Sequence, residues 1–101
     1  MFHCVILFRL KEGIPLERVR GAREALQALV ETMPGVEYFT VTHNLAADSA
    51  GFNLALFSAF ESRTACEIFQ RHPEYQRVWR HELQPLVAAH VTAQGEASSG
   101  A

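Results

Sequence analysis

Apolar and polar residues along this chain alternate with two different periods, and the switches between them mark the elements. From Phe2 to Leu10, Phe2, Cys4, Ile6, Phe8 and Leu10 fall on one side of an extended chain and His3, Val5 and Leu7 on the other. Both sides are mostly apolar, which predicts a strand covered on both faces at the centre of a sheet. Residues 52–60 repeat the pattern: Phe52, Leu54, Leu56 and Phe60 alternate with Ala55, Phe57 and Ala59. A second central strand is predicted there. Residues 36–44 set Tyr38, Phe39 and Val41 among Glu37, Thr40, Thr42 and His43, the more polar signature of an edge strand. Residues 86–93 read as a last strand, and residues 94–101, which lack large apolar side chains, as a fraying tail.

Between the strands the period changes to that of a helix. Leu16, Val19, Ala22, Leu26, Leu29, Val30 and Met33 make one stripe, with Glu17, Arg20, Arg23, Glu24, Gln27 and Glu31 in water. This predicts a helix that opens with Pro15 at its first position and runs to about residue 32. Gly21 costs that helix ~1 kcal/mol relative to alanine, unless it permits a close approach. Pro34-Gly35 ends it. Ser62 offers an N-cap oxygen to a shorter helix carrying Ala65, Cys66 and Phe69, and His72 precedes Pro73, which disfavours helical torsions at position 72. Residues 74–84 predict another helical turn or two, packing Tyr75, Val78 and Trp79, with Pro85 as the stop.

The order strand, helix, strand, strand, helix, strand with right-handed crossovers predicts an α+β fold: a ferredoxin-like βαββαβ unit with an antiparallel sheet ordered 4-1-3-2. Strands one and three are then central, in agreement with the two runs that are apolar on both faces. The helices cover one face of the sheet. Nothing in the chain is left to cover the other, so a homodimer with the two sheets face to face is expected.

Composition narrows the function classes. Hydrophobic residues make up 49% and charged residues 20% of 101, which fits one globular domain and argues against disorder. A formal charge of −2 provides no field for a phosphate backbone, so nucleic acid is not an expected partner. Cys4 and Cys66 are too few for a disulfide framework, and no apolar run approaches a membrane span or a cleavable leader. The expectation is a soluble cytoplasmic protein. His43, His81 and His90 lack metal-ligand spacing, no glycine-rich phosphate loop or catalytic triad pattern occurs, and neither metal nor cofactor is expected. Arg71, Arg77, Arg80 and His81 form a modest positive cluster that reads as a solvated face.

Several short motifs in order resemble the stress-responsive dimeric A/B barrel family: Phe2-His3-Cys4-Val5, Met33-Pro34-Gly35-Val36, Asn44, Gly51-Phe52-Asn53, Phe60-Glu61-Ser62 and His72-Pro73. The resemblance spans residues 2 to about 91 and defines the domain as 2–93. It implies an obligate dimer whose sheets form a barrel, with a small cavity between sheet and helices in each subunit. Members with known chemistry include a polyketide cyclase and a hydroxynitrile lyase. Carried over by position, the cyclase-like histidine of strand one is His3, its helix tyrosine is Phe69, its His-Pro pair is His72-Pro73, its general base is Tyr75, and a strand-three histidine is Leu54. A tyrosine, with an ordinary pKa near ~10 against ~6.5 for histidine, is a poor base at neutral pH. The resemblance thus implies a pocket lined by Leu54, Leu56, Phe69, His72 and Trp79, with His3 and Tyr75 as the pair able to exchange a proton.

Three functions follow from these residues. The first is a dimeric binding module for a small apolar or aromatic molecule. The second is a cofactor-free lyase or cyclase using His3 and Tyr75. The third is a monooxygenase of the antibiotic-biosynthesis type, which shares the dimeric barrel.

Overall fold

The computed structural model describes residues 1–97. Strand β1 (Phe2–Leu10) leads into helix α1 (Leu16–Val30), followed by β2 (Val36–His43), β3 (Leu54–Phe60), α2 (Arg63–Arg71), α3 (Pro73–Val78) and β4 (Val87–Glu96). One antiparallel sheet results, ordered β2-β3-β1-β4. β1 and β3 are its two central strands, as their two apolar faces require.

Register decides which face each residue takes, because directly paired residues share a side. Phe2, Cys4, Ile6 and Phe8 pair with Phe60, Ser58, Leu56 and Leu54. These face the helices and form the core with Val19, Ala22, Leu26 and Leu29 of α1 and Cys66 and Phe69 of α2. His3, Val5 and Leu7 pair with Ala59, Phe57 and Ala55 on the opposite face. That face carries no helix, leaving Phe57 40% exposed, Val91 50% and Tyr38 55%.

Local chemistry accounts for the helix ends. Ser62 Oγ accepts the Ala65 N–H at 3.1 Å, as an N-cap should. His72 is extended (φ −63°, ψ 133°) and its Nδ1 accepts the Glu74 N–H at 3.1 Å, so one residue both ends α2 and caps α3. Gly35, at φ 82°, takes the left-handed conformation after α1, and a Cβ there would lie 3.1 Å from Ala65 Cβ. Gly21 has open space around it, so no close approach requires it.

The structure corrects several sequence expectations. Pro15 is the N-cap of α1 and not its first residue, and its carbonyl accepts the N–H of Arg18 and Val19. Leu16, placed in the buried stripe, is 69% exposed at the helix start. β3 begins at Leu54, because Phe52 and Asn53 belong to a loop in which Asn44 Nδ2 donates to the Phe52 carbonyl at 2.7 Å. α3 is followed by a π-helical turn, Trp79–Leu83, in which the Gln84 N–H reaches back five residues to the Trp79 carbonyl. A 3-10 turn, Gln84–Leu86, then holds Pro85 within it. β4 runs three residues beyond its expected end, since Gln94, Gly95 and Glu96 pair with Cys4, His3 and Phe2. Backbone pairing holds these residues without any apolar side chain. Ala97 follows, its N–H donating to the Met1 carbonyl at 3.1 Å, and residues 98–101 of the expected tail lie outside the described residues.

Candidate functional site

The helix-facing side of the sheet brings together Cys4, Ser58, Phe69 and Tyr75. Ser58 Oγ donates to the Cys4 carbonyl at 2.7 Å, fixing the two central strands at that level. The amides of Gln94 and Gln70 approach the Cys4 thiol at 3.6 and 3.9 Å. The Phe69 ring stacks at 4.8 Å from Tyr75, 5.4 Å from Phe60 and 5.8 Å from Phe39. These rings occupy the space where the sequence suggested a cavity. What stays open among Cys4, Leu56, Phe69 and Tyr75 is about 10 Å³, room for a single water at most.

On the helix side of the sheet, open space adjoins this plug. A cleft of about 300 Å³ runs between α2–α3 and β4, lined by Ile6, Gln70, Tyr75, Gln76, Trp79, His90 and Thr92. Its size is at the lower limit of ordinary small-molecule sites. Trp79 meets His90 edge-on and stands 6.0 Å from Phe8, forming one aromatic wall. Gln76 Nε2 donates to the Gln70 carbonyl, which joins α2 to α3 beside the opening. No carboxylate, lysine or arginine lines the cleft.

Tyr75 sits between plug and cleft. It is only 8% exposed, and its hydroxyl has no hydrogen-bond partner among the described residues. Among the described residues no buried polar side-chain atom lacks a partner, so the free hydroxyl is not sealed in but reaches the open space. Burial, reinforced by the Cys4 and Cys66 thiols, pushes Tyr75 up to about 12. At pH 7 the ionised fraction falls from about 10⁻³ to about 10⁻⁵. Tyr75 is therefore a hydrogen-bond donor and a weak acid, and has no capacity as a resting base. Burial also pushes the Cys66 thiol up to about 12, so it is no nucleophile.

The other residues singled out from sequence are dispersed. His3 lies on the open face of the sheet, in an open hollow of about 490 Å³ with Met1, Val5, Tyr38, Phe57 and Ala59. The sheet itself separates it from Tyr75, so the subunit does not bring the expected His3–Tyr75 pair together. Strand parity is the reason: at the start of β1 the residues that point toward the helices are Phe2 and Cys4, on either side of His3. Leu56 and Phe69 belong to the plug and Trp79 to the cleft, whereas Leu54 sits at the other end of β3 beside Val19 and His43. His72 is exposed and engaged as the cap of α3. Arg77 pairs with Glu74 at 3.1 Å on the solvated face of α3. Among the described residues no three His, Cys, Asp or Glu side chains are grouped as a metal would require.

Sequence reasoning passed over Ile6, Gln70, Gln76, His90 and Thr92 as cleft residues, and His90 is the one among them able to exchange a proton. The signal was its place in β4, where pairing with Phe8 sets it on the helix-facing side. Residues 86–93 predicted the strand but not its register, so this side could not be read in advance.

An antiparallel four-stranded sheet with helices on one face, an uncovered apolar face and a small cleft under the helices defines a ferredoxin-like α+β protein. The chain belongs to the stress responsive A/B barrel domain family, whose model matches residues 2–94. Among solved structures it is similar to an Arabidopsis thaliana protein, with TM-score 0.87, 17% identity and coverage of 100% of this chain and 99% of the other. It is also similar to the hydroxynitrile lyase of Passiflora edulis, with TM-score 0.85, 16% identity and coverage of 97% and 94%. A dimeric ferredoxin-like protein of unknown function from Thermobifida fusca follows at TM-score 0.81, 18% identity and coverage of 95% and 90%. No curated protein matches the chain in sequence. No helix among the described residues is long and apolar enough to cross a membrane.

Proposed function

We propose that this protein is a homodimer, each subunit of which binds a small, uncharged, largely apolar molecule in the cleft beside Tyr75. The observation that carries the ligand reading is the Tyr75 hydroxyl, the unpartnered tip of an otherwise buried side chain, which opens onto a cleft without charged walls. A ligand carbonyl or hydroxyl would replace solvent as the acceptor of this hydroxyl, in a site from which water is displaced. Trp79 and His90, in edge-on contact, would offer a single aromatic wall to the body of a planar molecule. The dimer is supported by the uncovered face carrying Val5, Leu7, Phe57 and Val91, and by solved relatives described as dimeric. Two buried free thiols fit a reducing, cytoplasmic setting.

The reading is tested with acetophenone, a neutral aromatic ketone. Titration should shift the indole N–H resonance of Trp79, the only tryptophan, and Tyr75→Phe should weaken binding about tenfold, the loss of one desolvated hydrogen bond. A Trp79 signal indifferent to acetophenone, or equal affinity in Tyr75→Phe, rejects it. In solution the mass should be near twice 11.3 kDa. A stable monomer across micromolar concentrations rejects the dimer.

A second reading, a cofactor-free lyase or cyclase, is favoured by the presence of both Tyr75 and His90 in one cleft. Similarity to a hydroxynitrile lyase supports the same class. In this reading Tyr75 donates a proton and His90 accepts one, replacing the His3–Tyr75 pair. Cleavage of an aromatic cyanohydrin should then fall in both Tyr75→Phe and His90→Gln. Rates unchanged in both variants reject it.

A further inference from the structure

A second pocket lies away from the cleft, where α1 passes the end of β2. Its volume is about 110 Å³, and Leu16, Val19, Arg20, Arg23, His43 and Leu54 line it. Val19 and Leu54 are buried and form the floor. His43 pairs with Leu54 in the sheet, so its imidazole stands on the same face as that floor. Arg20 and Arg23 are three residues apart on α1, a spacing that puts both guanidinium groups on one side of the helix.

These groups are uncompensated. The two ion pairs among the described residues are Arg63–Glu67 and Arg77–Glu74, and neither involves Arg20 or Arg23. Glu17 and Glu24 lie on the same helix but do not line the pocket, and no carboxylate does. The protein as a whole is weakly acidic, with a net charge of −2, so a pocket whose charged lining is entirely basic stands against the general balance. At the rim, Leu16 is 69% exposed, an apolar side chain with nothing over it.

We infer that this pocket binds a small monocarboxylate with a short aliphatic body. Arginine meets a carboxylate with two parallel N–H···O bonds, and two arginines on one side of a helix present donors to both oxygens. The floor of Val19 and Leu54, with Leu16 at the mouth, takes the hydrocarbon. A cavity of about 150 Å³ accommodates benzene, so 110 Å³ suits a chain of a few carbons and no fused ring. Inorganic phosphate would satisfy the arginines but not the floor, and a neutral amide the floor but not the arginines.

Three probes separate these contributions: butanoate, butyramide of the same shape without the charge, and inorganic phosphate. Butanoate should shift the methyl resonances of Val19 and Leu54 with a Kd on the order of 1 mM. Butyramide and phosphate should each bind at least about tenfold more weakly. The double substitution Arg20→Gln with Arg23→Gln, on exposed positions that leave the fold intact, should reduce butanoate affinity about tenfold. The proposal is overturned if butanoate leaves these methyls unmoved, if butyramide or phosphate matches it, or if the double variant binds it equally well.

Discussion

The indole of Trp79 meets the imidazole of His90 edge-on, with ring centroids 5.3 Å apart and planes at 77°. Trp79 opens the π-helical turn after α3, while His90 stands on the outermost strand of the sheet. Their contact folds β4 back against the turn that precedes it, at the wall of the cleft. His90 is exposed, yet it is braced from two sides, since Phe8 lies 6.4 Å from it as well.

Removing the indole should therefore loosen both wall and fold. Trp79→Ala is expected to cost about 2 kcal/mol, below the 3–5 kcal/mol range for a fully buried aromatic because Trp79 is half-buried. Urea unfolding followed by circular dichroism measures this, as the variant has no tryptophan fluorescence. A loss below about 0.5 kcal/mol would mean that the π turn does not pack on β4 in solution.

Alkaline pH should weaken the protein through two buried acids. Tyr75 rises from 10.0 to about 12 and Cys66 from 9.0 to about 12, both chiefly through desolvation. The folded state thus holds these protons at pH values where the unfolded chain releases them. Their contribution is complete below pH 9 and is lost as pH climbs toward 12. For Tyr75 alone a rise of two units corresponds to at most about 3 kcal/mol. Unfolding free energies at pH 7 and 11 should differ markedly in the wild type, and less in a Tyr75→Phe, Cys66→Ala variant. An identical drop in that variant would place the alkaline sensitivity elsewhere.

Gly21, inside α1, and Gly35, after it, should respond in opposite directions. Gly21→Ala, in open space within α1, is expected to stabilise by about 0.5–1 kcal/mol. Gly35→Ala, at φ 82° and with its new methyl 3.1 Å from Ala65 Cβ, should destabilise by about 1–2 kcal/mol. Thermal unfolding of the two variants decides the matter, and a stabilised Gly35→Ala would contradict the observed turn.

The uncovered sheet face should respond to a charge at its centre. Phe57 is 40% exposed in the isolated subunit, so Phe57→Glu costs the fold little. Across an interface between two sheets, however, it would bury an unpaired carboxylate. Light scattering should find a folded monomer near 11.3 kDa. A Phe57→Glu protein that stays dimeric would mean that another surface joins the copies.

Much of this architecture was legible before any coordinates. Alternation that is apolar on both sides marked β1 and β3 as central, the polar interleaving of Thr40, Thr42 and His43 marked β2 as an edge, and Ser62, His72-Pro73 and Pro34-Gly35 marked the helix ends. Such signals are local: a side chain's period and a backbone's permitted torsions are properties of neighbouring residues. What the chain could not reveal alone was which side of those two central strands the helices would cover. With both sides apolar, pattern does not distinguish Cys4 from His3. Only the packing of α1 and α2 put Cys4 beside Tyr75 and left His3 on the bare face. The same packing filled the expected cavity with Phe69, and the pairing of β4 with β1 brought His90 into the cleft instead. These outcomes depend on the volumes and registers of residues far apart in sequence, and those meet only when the chain has folded.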